Sequence, residues 1–267
     1  GITPRFANAI LWGDSANAGG EIFNMSVNAH NVAPAVDKSI VQGGCPAQAS
    51  CTDVTSSDPR YGTFGNYGGN TYILPLLPGS AAINAGGSGV CNSLPVDGQD
   101  QRGVTRPQLA ACDIGAFESQ GFTLAVAGGD NQQAAVNGAF TAPLSITVSS
   151  GRWSDIPEPV DGGIVTYTAP ASGASITAVP AAVIITNSAA ELAVTANGLM
   201  GSYLVTATAP GENAISFHLT NTRYASSTAL DIAPNPALVD DNVTFTVGVS
   251  TASVLTNVLL AKPTGSV

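Results

Sequence analysis

Apolar residues along this chain recur at every second position or in tight pairs and triplets, without the three-and-four spacing of an amphipathic helix. Gly, Asn, Asp and Pro punctuate these runs, as an all-β chain with frequent turns requires. Three stretches differ in texture. Residues 1–118 carry short pieces such as Ala9-Ile10-Leu11-Trp12-Gly13, Glu21-Ile22-Phe23, Val27 and Ser39-Ile40-Val41-Gln42-Gly43. Each is too short for an ordinary sandwich strand. Residues 122–222 alternate cleanly and predict strands over 122–126, 144–148, 163–168, 182–185, 191–196, 202–208 and 215–220. Residues 223–267 start a similar pattern, with Ala229, Leu230 and Ile232 before the turn Pro234-Asn235-Pro236 and Val243, Phe245 and Val247 after it.

These textures predict an architecture. Short pieces suit the rungs of a parallel β-helix, where each coil adds a brief strand and stacks it on the last. Asn in the turns tolerates left-handed backbone. Seven strands in about 100 residues is the count of an immunoglobulin-like sandwich. The expected fold class is therefore all-β: terminal coils of a parallel β-helix over 1–118, an Ig-like sandwich over 122–222, and an incomplete second one over 223–267. Half a sandwich leaves an apolar face and strand edges unpaired. Gly1 begins amid strand-like sequence and Val267 falls midway through the second sandwich pattern, so open ends are expected, covered by more chain or by a neighbour.

Three motifs stand out in the first stretch: Leu77-Pro78-Gly79-Ser80-Ala81-Ala82-Ile83-Asn84-Ala85-Gly86, Asp100-Gln101-Arg102-Gly103 and Asp113-Ile114-Gly115-Ala116-Phe117-Glu118. With Asn8-Ala9-Ile10-Leu11-Trp12 and Lys38-Ser39-Ile40-Val41-Gln42 they resemble the carboxy-terminal end of a bacterial right-handed parallel β-helix family. That family includes choice-of-anchor Q proteins and relatives of the polymorphic outer-membrane proteins. Asn84 stands where the family usually has Asp, which weakens any Asp-based metal site there. Residues 122–222, with Val165-Thr166-Tyr167-Thr168-Ala169-Pro170 and Thr195-Ala196-Asn197-Gly198-Leu199-Met200-Gly201-Ser202-Tyr203, resemble a bacterial Ig-like repeat of invasin and adhesin type. Residues 223–267 resemble the first two strands of another. The resemblances imply a structural module of exported proteins and no known reaction.

Composition narrows the partners. Charged residues are 10% of the chain, against about 25% in typical domains, and the net charge is −10 with lysine only at Lys38 and Lys262. Nucleic acid and anionic membrane both need a basic patch, so neither is expected. No run of 18 apolar residues offers a spanning helix. The cysteines are Cys45, Cys51, Cys91 and Cys112. Four cysteines allow three connectivities, and the sequence does not choose among them. Sequential pairing, 45–51 and 91–112, closes two local loops and is the expectation. Disulfides imply an oxidising compartment, here the cell exterior or bacterial cell surface.

Candidate chemistry is sparse. Asp97, Asp100, Arg102, Arg106, Asp113 and Glu118 cluster as the carboxylates and arginines of polysaccharide-cleaving β-helices do. The simpler reading is salt bridges and turn hydrogen bonds that close the helix end. Asp53, Asp58, Asp240 and Asp241 offer oxygen ligands for calcium but fit no loop pattern, so no cofactor is expected. His30 and His218 lie in different stretches, and no Gly-x-Ser-x-Gly elbow occurs. Trp153, in a polar loop, is the candidate ligand contact; Trp12, after Ile10 and Leu11, reads as core. The expected function is a non-enzymatic stalk, adhesin or fibre subunit. It works by stacking modules and by strand complementation through Ala229, Leu230, Ile232, Val243, Phe245 and Val247. The expected partners are copies of itself or further domains of the same chain. The alternatives are a β-helix polysaccharide lyase or hydrolase with Ig-like spacers, and an adhesion module that binds glycan or a host surface protein.

Overall fold

In a computed structural model the chain is all-β, with one helical turn at Ser88–Cys91 among the described residues. These are residues 3–14, 21–22, 33–150, 156–177, 179–210 and 213–251. Trp153, His30, Lys262 and the sequon Asn24-Met25-Ser26 fall outside them.

The first stretch stacks short parallel strands. β1 (Arg5–Ala7), β3 (Ala35–Asp37) and β5 (Ser50–Thr52) form one sheet, and β2 (Ile10–Leu11) pairs with β4 (Ile40–Val41) in another. One feature turns the chain between the two sheets. Asn8, Lys38 and Asp53 each follow the end of β1, β3 or β5, and each has left-handed backbone, with φ of 51°, 41° and 52°. The register Ala7↔Asp37↔Thr52 places these corners in a column. Their backbones join, Asn8 N–H to the Asp37 carbonyl at 3.2 Å and Lys38 N–H to Thr52 at 2.9 Å. Left-handed backbone is disfavoured for ordinary side chains. Stacking three such corners satisfies the backbone of each, and Lys38 Nζ adds an ion pair to Asp53 at 2.8 Å. Inside the corner, Ser39 is fully buried; its hydroxyl donates to the Asp37 carbonyl and accepts from Ala9 N–H.

The second stretch is a pair of packed sheets. Five strands lie in the order β10 (Ala181–Ile184), β9 (Ile164–Thr168), β12 (Gly201–Thr208), β13 (Ile215–Thr222), β7 (Gln132–Ala135). Three lie in the order β11 (Ala189–Leu192), β8 (Leu144–Ser150), β6 (Phe122–Gly128). All pairings are antiparallel except β13 with β7. Alternate residues face inward: Leu144, Ile146 and Val148 from one sheet meet Val165, Tyr167, Val205, Phe217 and Leu219 from the other. Tyr167 is fully buried, and its hydroxyl crosses the core to donate to the Ala190 carbonyl at 3.0 Å. Burial raises its pKa.

Two details depart from the sequence reading. β7 was not predicted, because Gln-Gln-Ala-Ala has neither alternation nor β-branched residues. It is strand because the edge of β13 accepts it and because the Gln132 amide bonds Gly129 and Ala142. The strand predicted over 191–196 begins earlier, at Ala189, and Thr195 and Ala196 serve instead in isolated bridges.

β14 (Ser226–Ala233) and β15 (Thr244–Thr251) form a separate two-stranded antiparallel sheet.

Candidate functional site

The three motifs singled out in the first stretch converge on one buried polar cluster. Residues 100–119 form little ladder structure, so their buried N–H groups need other acceptors. Carboxylates provide them. Asp100 Oδ1 accepts from the N–H groups of Arg102 (2.7 Å) and Val104 (3.0 Å), and Oδ2 from that of Glu118. Asp113 accepts from Asn84 (2.7 Å) and Ser119 (2.6 Å). Glu118 accepts from Asp113 and Gln108. Arginine side chains in turn cap carbonyls: Arg106 donates to Asp113 and Gly115, and Arg102 donates to Glu118 at 2.5 Å. Arg102 also pairs with Asp100 at 2.8 Å and lies 3.7 Å over the Phe117 ring. Asp97 is exposed and takes no part in the cluster.

One member comes from far along the chain. Glu158 accepts from the Ser119 hydroxyl and the Gln120 N–H, and lies 3.6 Å from Arg102. It thereby ties the connection between β8 and β9 to the segment from Arg102 to Gln120. Around it the contact is close. Ile164 N–H donates to the Pro78 carbonyl at 2.8 Å, and a Cβ on Gly79 would strike Ile164. A Cβ on Gly86 would lie 2.7 Å from the carbonyls of Cys112 and Asp113.

The cluster holds four acids, Asp100, Asp113, Glu118 and Glu158, against two arginines. Burial, reinforced by the Glu118 charge, pushes Asp113 up to about 7. Burial pushes Glu158 up to about 7 and raises Glu118. The side chains of Asp113 and Glu118 are covered, and their oxygens accept from backbone N–H groups.

The other candidates lie apart. The disulfides are Cys45–Cys51 and Cys91–Cys112, which fits an oxidising compartment. Asp53 pairs with Lys38, Asp58 accepts from Arg60 N–H, and Asp241 accepts from Leu238 N–H. No group of three or more acids, histidines or cysteines is placed to hold a metal among the described residues. His218 is exposed on β13, where its backbone N–H and ring bond Asp130 and hold that carboxyl below its ordinary range. Asn84, with φ of 58°, uses its side-chain oxygen to accept Ala111 N–H. Trp153 lies outside the described residues. Among the described residues, no helix is long and apolar enough to cross a membrane, which says nothing about strands.

The β14–β15 hairpin carries the remaining candidates. Register pairs Thr228 with Val249, Leu230 with Val247 and Ile232 with Phe245, so these six share one face. Ala229, opposite Gly248, lies on the other face with Ser227, Asp231 and Thr246. Ala229 is thus removed from the apolar set, and Val249 joins it. Val243, two residues before Phe245, continues the alternation. Leu230 is 59% and Phe245 64% exposed; Ile232 is half-buried. No family model, curated protein or solved structure matches this chain.

Proposed function

We propose that the chain is a non-enzymatic structural part of an exported bacterial surface or filament protein. In this reading residues 1–118 are the closing coils of a parallel β-helix, 122–222 an Ig-like sandwich, and 223–267 the start of a second. The observation that carries the proposal is the hairpin of β14 and β15, whose apolar and polar residues segregate onto opposite faces while the apolar face lies open. A lone hairpin is marginal in water, and five large side chains on one face are a binding surface. Charge is absent from that face, so a like apolar surface fits it, and a second copy supplies one by symmetry. The stacked corners, the buried junction around Glu158 and the two disulfides suit a rigid rod in an oxidising environment. The catalytic alternative draws no support from its carboxylates, which are buried.

Light scattering on the purified chain tests this. Concentration-dependent association is expected, with Phe245→Asp and Leu230→Asp each shifting it to monomer. Ala229→Asp, on the polar face, is expected to leave it unchanged. A wild-type monomer at millimolar concentration, or equal effects from the two faces, overturns the assembly reading.

A further inference from the structure

A cleft of about 710 Å³ opens beside the rungs, and part of its wall, Gln101 and Ile114 to Phe117, comes from the segment that carries the buried cluster. Five aromatic residues among those described line it: Trp12, Tyr61, Phe64, Tyr72 and, buried at its base, Phe117. They come from separate stretches of chain, and no helix or strand periodicity unites them. Its volume lies in the range of ligand pockets.

Two of the rings stand in solvent. Phe64 is 61% and Tyr72 60% exposed, although Ile114, Phe117 and other apolar residues lie beneath the cleft. Their centroids are 5.7 Å apart in an edge-to-face arrangement, so each ring braces the other upright. Trp12 is half-buried, packed against the core as its sequence context predicts, and forms part of the wall. An exposed edge-to-face pair of rings, with Trp12 in the same lining, offers flat apolar surfaces to an occupant.

The polar groups narrow the occupant. Among the described residues, no Asp, Glu, Lys or Arg lines the cleft. An anionic ligand would shed water there with no cation to replace it, in a chain that already carries −10. A cationic ligand would likewise find no acid. Among the described residues the polar side chains present are neutral: the phenol hydroxyls of Tyr61 and Tyr72, the Gln101 amide, and the Asn8 amide, which is already bonded to Gly87. Gln101 Nε2 is anchored on Thr71 Oγ1 at 2.7 Å, which leaves its carbonyl oxygen as an acceptor. The ligand that matches flat apolar walls with neutral donors and acceptors is itself flat-faced, uncharged and rich in hydroxyls. A pyranose has this form: axial C–H groups make an apolar face that stacks on aromatic rings, and equatorial hydroxyls point outward to side chains.

We propose that this cleft binds a neutral oligosaccharide, with pyranose rings stacked on Trp12, Phe64 and Tyr72 and hydroxyls bonded to Gln101 and Tyr61. The site is independent of assembly through the hairpin.

The test is calorimetric and fluorescence titration of the full chain with cellohexaose, chitohexaose and mannohexaose, and with hexagalacturonate as the charged comparator. Saturable binding of at least one neutral hexamer is expected, with a change in tryptophan emission and none from hexagalacturonate. Tyr72→Ala and Phe64→Ala are each expected to weaken binding tenfold or more, and Tyr72→Phe less than fivefold. Both side chains are exposed, so unchanged circular dichroism and unfolding midpoints verify that the variants fold. Three results overturn the proposal: no neutral hexamer bound at millimolar concentration, hexagalacturonate bound as well as the neutral sugars, or variants that bind like the wild type. If either alanine variant instead changes the oligomeric state, the cleft is a protein contact and the proposal fails.

Discussion

Replacing Arg102 with methionine removes the cation that joins the closing motifs to the packed sheets. The side chain is 3% exposed, so water does not compensate. Three interactions are lost: Nε with Asp100 at 2.8 Å, the bond to the Glu118 carbonyl at 2.5 Å, and the longer approach to Glu158 at 3.6 Å. Hydrogen bonds involving charged groups contribute about 1.5–3 kcal/mol each, so the two short ones suggest roughly 3–6 kcal/mol. Breaking one side of a buried ion pair costs about 3–5 kcal/mol, which agrees. Methionine keeps an apolar contact with Phe117 and offsets part of the lost cation–π term, on the order of 1 kcal/mol. The expected net loss is about 3–5 kcal/mol at pH 8. At pH 5 it is smaller, because Glu158 and its neighbours escape their unpaired charge by taking protons. Arg102→Lys keeps the charge but not the planar fork, and falls between. Equilibrium urea unfolding followed by circular dichroism measures this as a midpoint shift of about 2 M for a slope near 2 kcal/mol/M. A loss under about 1 kcal/mol at pH 8, or equal losses at both pH values, refutes the electrostatic account of the junction.

Further outcomes follow from the same geometry. Asp113 and Glu158 have folded-state pKa values of about 7, above their ordinary 3.8 and 4.5. The stability they contribute is full below about pH 4 and is lost as pH rises through 7, a fall on the order of a few kcal/mol. Unfolding midpoints are expected to be higher at pH 5 than at pH 8, with Glu158→Gln flattening the difference; a midpoint that rises with pH contradicts this. Gly86→Ala sets a Cβ 2.7 Å from two backbone carbonyls that have no room to withdraw, and is expected to cost several kcal/mol. A thermal midpoint within 2 °C of wild type would mean that the segment relaxes freely. Removing the Cys91–Cys112 bridge as the double serine variant opens a loop of sequence separation 21 and is expected to cost about 3 kcal/mol. Reduction of the wild type should reproduce most of that loss, and a reduced protein with an unchanged urea midpoint would not fit.

Much of the secondary structure was legible because strand alternation is local. Leu144, Ile146 and Val148 point inward for the same reason that they alternate with Ser145 and Thr147. The all-β class follows from composition and alternation in the same way, whereas the pairing of Cys45 with Cys51 and Cys91 with Cys112 was one of three connectivities and is chosen by the structure. The hairpin face was legible only in part. The alternation through Val243, Phe245, Val247 and Val249 is written in the chain, but that Ala229 lies on the opposite face from Leu230 and Phe245 is fixed by the pairing register, which depends on the partner strand. β7 was illegible: its residues lack strand propensity, and its state is set by the free edge of β13.

The candidate sites divide along the same line. The acids and arginines between Asp100 and Glu118 could be grouped from their spacing alone. Only the tertiary structure brought in Glu158, 39 residues beyond Ser119, and showed that the carboxylates of the cluster accept from backbone N–H groups. In the corner column, Asn8 and Asp53 are residue types that tolerate left-handed backbone, whereas Lys38 is not and takes it up within the stack. The aromatic cleft gathers Trp12, Tyr61, Phe64 and Tyr72 across 60 positions, and no periodicity marks them. Sequence determines what is local and periodic; contacts between distant segments, and the exposure that separates a core aromatic from a binding one, exist only once the chain has folded.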